Sequence, residues 1–194
     1  SGYYTKFMDQ SKVISYYDDV ESTFSNFAMS GIDKQHFGLE VAASIPLYAG
    51  LALNGAISWG QFTYDSNPDY VQIQDNSGEI KNEGKVYWKN FRVESTPQTA
   101  MNIGLSYRSR NNIYASVDMN YYNNMYLSMS PLYRTDAVLS RNMSAEDIRE
   151  LRHQEKFNSA CVFNASVGKN WYINRAYTLG FSLEVKNLLN NQDI

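Results

Sequence analysis

Apolar and polar residues alternate with a period of two in six segments, and this pattern constrains the fold more than any other feature. The segments are residues 37–47, 51–60, 101–108, 113–121, 161–168 and 177–186. In residues 37–47, apolar side chains share one parity and small or polar side chains share the other. A period of two is typical of β-strands, because successive side chains point to opposite faces of the sheet. The sequence therefore predicts a mainly β-stranded fold.

The six segments form three pairs, each separated by a break of a few residues, which predicts three tight antiparallel hairpins. Between the pairs lie two long stretches, residues 65–97 and 128–156. Asp, Asn, Ser, Gly and Pro are frequent in residues 65–97, which predicts a long loop with irregular strand near Val86–Trp88. The second stretch holds the one helical signal, with Ser144 as N-cap and Asp147 three residues later. Further strands are indicated by aromatic and β-branched residues in residues 3–7, 13–17 and 24–29.

Three features favour a transmembrane β-barrel over an ordinary antiparallel sheet. The connections alternate between about three and about thirty residues, as do the short periplasmic turns and long outer loops of outer-membrane barrels. Strands of roughly 11 to 15 residues exceed the ~9 to 11 that cross a bilayer. Aromatic residues, 14% of the chain, gather at strand ends, as in the two belts that flank a membrane. Near the short turns these are Tyr48, Tyr107, Trp171, Tyr172 and Tyr177, and near the long loops they are Trp59, Phe62, Tyr64, Tyr121, Tyr122 and Tyr126.

The predicted fold is all-β: an antiparallel up-and-down meander from a transmembrane β-barrel, in which residues 1–194 form one segment of a partial barrel. The apolar parity then faces lipid, and the small polar parity lines a wide, wet interior. Two alternatives stay open. A soluble or surface-exposed all-β binding module would pack its apolar parity against a second sheet, and a complete small barrel of eight strands would also fit the chain length.

Several short stretches stand out because of their composition and their order along the chain. They are Gly2–Phe7, Phe24–Lys34 followed by Gly38–Glu40, Gly60–Tyr64, Thr96–Ala100 and Glu184–Asn190. The more specific pieces are Ser-Gly-Ile-Asp at residues 30–33 with Gly-Leu-Glu at residues 38–40, and Asn-Leu-Leu-Asn at residues 187–190. Together they span nearly the whole sequence and resemble the C-terminal barrel portion of TonB-dependent outer-membrane receptors.

The resemblance implies a plugged barrel of about 22 strands that imports a scarce nutrient when TonB pulls on the plug. It implies the outer membrane of a Gram-negative bacterium as the location, and an iron chelate of the siderophore type, a vitamin or a glycan as the ligand. The implied partners are outer-membrane lipid, the plug domain of the same receptor and the TonB complex. Because the sequence lacks a plug domain, a terminal strand and a final aromatic residue, we expect a fragment of a receptor.

Charge and composition argue against other classes of function. The chain has 20 acidic and 17 basic side chains and no basic cluster, so we exclude nucleic acid as a partner. His36 and His153 lie too far apart for a close metal pair, and Cys161 has no second cysteine for a CxxC site. We expect no metal, no cofactor and no enzymatic activity, since no catalytic motif accompanies either histidine.

Aromatic residues in or near the long loops are the candidates for ligand binding, because rings stack on sugars and on aromatic chelators. These candidates are Tyr87, Trp88, Tyr122, Tyr126 and Tyr133. Asp118 is a further candidate, as a carboxylate on the presumed interior face of its strand. The same tyrosines would also suit a membrane-interface belt, so the sequence leaves both roles open.

Overall fold

The computed structural model describes residues 1–19, 22–174 and 176–192, which form nine strands and three short helical segments. The strands are β1 (Gly2–Asp18), β2 (Thr23–Pro46), β3 (Leu51–Tyr64), β4 (Asp69–Gln74), β5 (Ile80–Lys85), β6 (Thr99–Arg108), β7 (Ile113–Asn123), β8 (Ala160–Ile173) and β9 (Tyr177–Val185). The helical segments are a 3₁₀ turn (Pro131–Arg134), α1 (Asp136–Leu139) and α2 (Ala145–Arg152). No helix in these residues has the length and hydropathy that crossing a membrane would require.

Seven strands form an antiparallel meander in which each strand pairs with the one before it. The order is β1-β2-β3-β6-β7-β8-β9. The hairpin of β4 and β5 extends the same sheet beside the first part of β2, where residues 25–30 pair with residues 69–74. The prediction of an all-β, antiparallel, up-and-down fold is confirmed at this level.

β1 and β9 are the lateral edges of the meander. Over the described residues, β1 pairs with β2 alone and β9 pairs with β8 alone, so the sheet is open rather than closed on itself. Each edge therefore presents a row of backbone groups that can pair with a further strand.

The three predicted hairpins are all present, with registers that keep similar residues together. Leu53 lies opposite Ile45 on one side and Leu105 on the other, whereas Asn54 lies opposite Ser44 and Gly104. The short turns contain residues with positive φ, as the tight turns of hairpins require. These residues are Ala49, Gly50, Asn112 and Asn174.

The first 46 residues form two long strands rather than several short ones. Residues 3–7 and 13–17 both belong to β1, and residues 24–29 begin the 24-residue β2. The pairing of β1 with β2 shifts register twice between Phe7 and Lys12, and Gly31 adopts a φ of 73°. Because of this irregularity, odd-numbered residues face one side of the sheet in one half of each strand and the other side in the other half. A search for simple alternation therefore does not reveal one continuous strand.

The two long loops contain more regular structure than the sequence predicts. Residues 65–97 include the β4–β5 hairpin, and near the predicted irregular strand Val86 forms a single bridge with Thr135. The predicted helix is confirmed as α2, with a reciprocal capping box between Ser144 and Asp147. It is not the one helical segment, since the 3₁₀ turn and α1 precede it.

A hydrophobic core lies at the long-loop end of the sheet, on the side of the polar parity. Its members are Phe27, Met29, Ile32, Phe62, Tyr64, Tyr70, Val86, Trp88 and Val93. They come from β2, β3, β4 and the segment after β5, so the first long loop folds back across the sheet and buries this end.

Candidate functional site

One face of the meander is apolar across its width and exposed over the described residues. A row of cross-strand neighbours on six strands consists of Ile45, Leu53, Leu105, Val117, Ala165 and Val185. Leu53 is 37% exposed and Val117 is 52% exposed. Monomeric proteins in water rarely expose contiguous apolar patches beyond a few hundred Å². This apolar face therefore calls for an apolar environment or an apolar partner.

The opposite face is polar, and its side chains hydrogen-bond one another across the strands. Ser44 donates to Asn54 at 2.7 Å, and Asn54 donates to Ser106 at 3.0 Å. Farther along the sheet, the hydroxyls of Ser116 and Ser166 lie 2.8 Å apart. These pairs make a hydrophilic wall of short side chains, which leaves room for water or a solute beside it.

Aromatic residues mark both ends of the meander, but the belt at the long-loop end has fewer members than predicted. At the short-turn end, the exposed rings are Tyr48, Tyr107, Trp171, Tyr172 and Tyr177. At the other end, Trp59 is exposed and Tyr121 is half-buried, and both have the apolar parity. The assignment of Phe62 and Tyr64 to this belt is wrong, because their parity turns them to the polar side, where they are buried in the core.

Three of the predicted ligand-binding aromatics lie apart from one another in the loops. Tyr87 and Tyr133 are exposed and line two separate grooves, whereas Tyr126 is half-buried at the base of the second long loop. Trp88 is 2% exposed, and its ring packs against Tyr64 with centroids 4.6 Å apart. In this conformation Trp88 supports the core beneath Tyr87, and its ligand role stays a prediction.

The other two candidates, Asp118 and Tyr122, lie on the polar face of β7. Both are half-buried. Asp118 accepts hydrogen bonds from Asn120 at 2.8 Å and from Asn164 at 2.9 Å, so its carboxylate belongs to the polar wall. The structure thus divides the predicted residues between the wall and the loops and does not bring them into one site.

Side-chain amides brace the long loops, and one of them, Gln154, joins the two loops to each other. The Gln154 amide accepts from the Arg92 backbone N–H at 2.9 Å and donates to the Arg92 carbonyl at 2.8 Å. Gln98, which is buried, makes the same two-way contact with the Phe62 backbone at 3.3 Å in both directions. Asn67 accepts from the backbone N–H groups of residues 88 and 89. Asn67 and Gln98 thus brace the first loop and its exit, and Gln154 links the first loop to the second.

A groove of about 660 Å³ lies where the loops meet. Tyr87 and Phe91 line it from the first loop, Ile148 and Leu151 line it from α2, and Arg134 borders it. Of these residues, Tyr87 alone is a predicted site residue. Ile148 and Leu151 follow from the helical pattern as one side of α2, but the sequence does not reveal what that side faces.

The two histidines lie in different surroundings, one packed between rings and the other exposed. No group of three His, Cys, Asp or Glu residues there is arranged to hold a metal ion. His36 packs between the rings of Phe7 and Phe62, with centroids 5.0 and 4.5 Å away. His153 lies 3.3 Å from Glu155 on an exposed segment. The absence of enzymatic activity stays a prediction.

No family model matches the chain, and comparison with curated proteins and with solved structures finds no match. The resemblance to TonB-dependent receptors thus stands on the residues quoted for it. The physical basis for a function lies in the two faces of the sheet and in the packed loops.

Proposed function

We propose that this chain forms part of the wall and outer loops of a TonB-dependent outer-membrane receptor that imports a scarce nutrient, such as an iron chelate, a vitamin or a glycan. The observation that carries the proposal is the exposed apolar face of a single-layer sheet. A bilayer would cover this face without a second protein layer, while the hydrogen-bonded polar face lines an aqueous interior.

The dimensions of the apolar face support the proposal. On β3 it runs from Leu51, opposite Tyr107 of the short-turn belt, to Trp59 at the long-loop end. At ~3.3 Å per residue, these eight steps measure about 26 Å along the strand. With a barrel tilt of ~40°, they span about 20 Å across the membrane, close to the ~25 Å apolar band of outer-membrane barrels.

The open edges and the packed loops fit the same proposal. The free edges of β1 and β9 would pair with further strands of the receptor, since an unpaired edge in lipid leaves backbone groups unsatisfied. The long loops would face the outside and bind the ligand. Movement of the plug domain, driven by TonB, would then release the ligand through the polar interior.

Extraction from cell envelopes tests the location of the native protein. Envelopes are washed with carbonate buffer, then extracted with and without a nonionic detergent, and the intact mass of the released protein is measured. We expect release by detergent alone and a mass several times the 22.2 kDa of this chain. Release by the carbonate wash at about this mass would contradict the proposal and favour an all-β binding module whose apolar face packs on a second layer.

Energised transport is tested separately on the same detergent-extracted protein. We expect the full-length receptor to retain the periplasmic domain of TonB in a pull-down. If the detergent-extracted protein does not retain TonB, its role as part of a membrane barrel would stand, but the TonB-dependent mechanism would be contradicted.

A further inference from the structure

We propose that the groove between the two long loops binds a small organic anion with a flat apolar body, an aryl carboxylate being the simplest example. This inference deepens the proposed receptor function by naming a ligand class, and it rests on that function for its biological role. Binding in the groove is nevertheless a property of the packed loops, so it is measured independently of membrane insertion.

The charge of the groove lining is entirely positive. Lys89, Arg134 and Arg152 line it, and none of the described lining residues is an aspartate or a glutamate. On the other side of Arg134 and Leu151 lies a second groove of about 480 Å³, whose lining includes Asp147, Glu150 and Glu155. The contrast between the two grooves predicts that an anion selects the first.

Arg134 is one of the three cations that line the groove, and it also borders the second groove. It extends over Phe91, with the guanidinium carbon 5.6 Å from the ring centroid, and one terminal nitrogen donates to the Ser130 carbonyl at 3.0 Å. Within the part of the chain that the structure describes, its buried Nε has no hydrogen-bond partner, and burial lowers the pKa of the guanidinium. An arginine keeps its charge even so, and an incoming anion would supply a counter-charge.

The apolar part of the lining predicts the body of the ligand. The rings of Tyr87 and Phe91 and the aliphatic side chains of Ile148 and Leu151 line the groove. Small-molecule sites typically combine such apolar walls with a few placed polar groups, in volumes of ~300 to 1,000 Å³. The groove volume of about 660 Å³ falls in this range.

Two amide side chains, one acting within the first loop and one between the loops, hold the groove in shape before a ligand arrives. Asn67 fixes the backbone of residues 88 and 89, next to Tyr87, with hydrogen bonds of 3.1 and 2.9 Å. Gln154, two residues beyond α2, fixes the helix against the first loop through Arg92. Preorganisation of this kind lowers the ordering cost of binding.

Fluorine NMR of two matched probes tests the inference on the purified protein in nonionic detergent. The probes are 4-(trifluoromethyl)benzoate and its neutral counterpart, 4-(trifluoromethyl)benzyl alcohol. The substitutions are Arg134→Gln and Arg152→Gln, with Arg149→Gln as control, because Arg149 lies on the same helix but outside this groove. Arg134→Lys keeps the charge, and hydrogen exchange of the α2 amides confirms that each variant retains the groove.

We expect saturable binding of the benzoate, and binding of the alcohol weakened about tenfold or more, the usual effect of losing a charged hydrogen bond. Arg134→Gln and Arg152→Gln should weaken the benzoate to a similar degree, and Arg149→Gln should change its Kd less than about threefold. Arg134→Lys should weaken the benzoate less than Arg134→Gln does, because it keeps the charge but not the planar guanidinium. Equal binding of both probes, no saturable binding, or an equal loss in Arg149→Gln would each overturn the inference. If the protein binds benzoate but is released from the envelope without detergent, this inference stands and the receptor proposal is overturned.

Discussion

Arginine in place of Ile57 tests whether lipid covers the apolar face. Ile57 lies on this face of β3 and is 45% exposed, two residues from Gly55 at the middle of the stretch between Leu51 and Trp59. In a bilayer, the guanidinium would lie near the midplane of the hydrocarbon layer. In water, it would replace an exposed isoleucine by an exposed, hydrated charge.

The two environments predict different changes in the free energy of unfolding. Lipid-facing arginine costs a membrane barrel about 2–4 kcal/mol at the midplane and less toward the interfaces. Two residues along a tilted strand correspond to ~5 Å of depth, nearly halfway to the interface, so we expect a cost of about 1–3 kcal/mol. This cost corresponds to roughly 5- to 140-fold in the folding equilibrium. On a water-exposed face, the same change stays within about 0.5 kcal/mol.

Ala56→Arg is the matched control, because Ala56 is the neighbouring residue on the same strand and is exposed on the polar face. Unfolding of the native protein in phosphatidylcholine vesicles is followed by tryptophan emission during a urea titration. We expect Ile57→Arg to lower the unfolding free energy by at least about 1 kcal/mol more than Ala56→Arg. Equal effects of the two substitutions would refute the assignment of the apolar face to lipid.

Further predictions concern packing, loop contacts and pH. A Cβ on Gly168 would overlap the ring of Tyr114, so Gly168→Ala should lower the unfolding free energy by about 1–3 kcal/mol, whereas Gly55→Ala, with space around it, should be nearly neutral by the same titration. Gln154→Leu should speed hydrogen exchange of the Arg92 backbone amide by about tenfold, because that amide loses its hydrogen-bond acceptor. The hydrogen bond from the N-cap serine hydroxyl lowers the pKa of Asp147, so the cap stabilises α2 at neutral pH. The contribution of the cap to the stability of α2 should be fully present at pH values above the ordinary carboxyl pKa. It should be lost as the pH falls through the lowered pKa of Asp147, which hydrogen exchange of the α2 amides measures.

The hairpins of the meander follow from the sequence because apolar and polar residues alternate at every second position. Leu53 and Asn54 illustrate this, since their neighbours across the sheet are apolar and polar in turn. The β4–β5 hairpin gives no such signal. Its strands have six residues each, and the hairpin depends on pairing with β2, which sequence reasoning divided at the irregularity near Gly31.

The candidate site was less accessible to prediction, because its parts come from distant segments. Tyr87 and Arg152 are separated by two hairpin strands and both long loops, yet they line one groove. Aromatic content singled out Tyr87 and Trp88 equally, but one is exposed and the other is buried in the core. Which of two adjacent rings faces solvent depends on how the loop packs, and no local pattern in the sequence carries that information.

Spin labels along β7 test the central claim most directly. Single nitroxide side chains are placed at each of residues 113–121 in the native protein in lipid vesicles, with Cys161 replaced by alanine. If the apolar face meets lipid, odd-numbered positions should collide with oxygen dissolved in the bilayer, and even-numbered positions should collide with an aqueous nickel chelate. Access of the nickel chelate to the odd-numbered positions, such as Val117, would contradict the account.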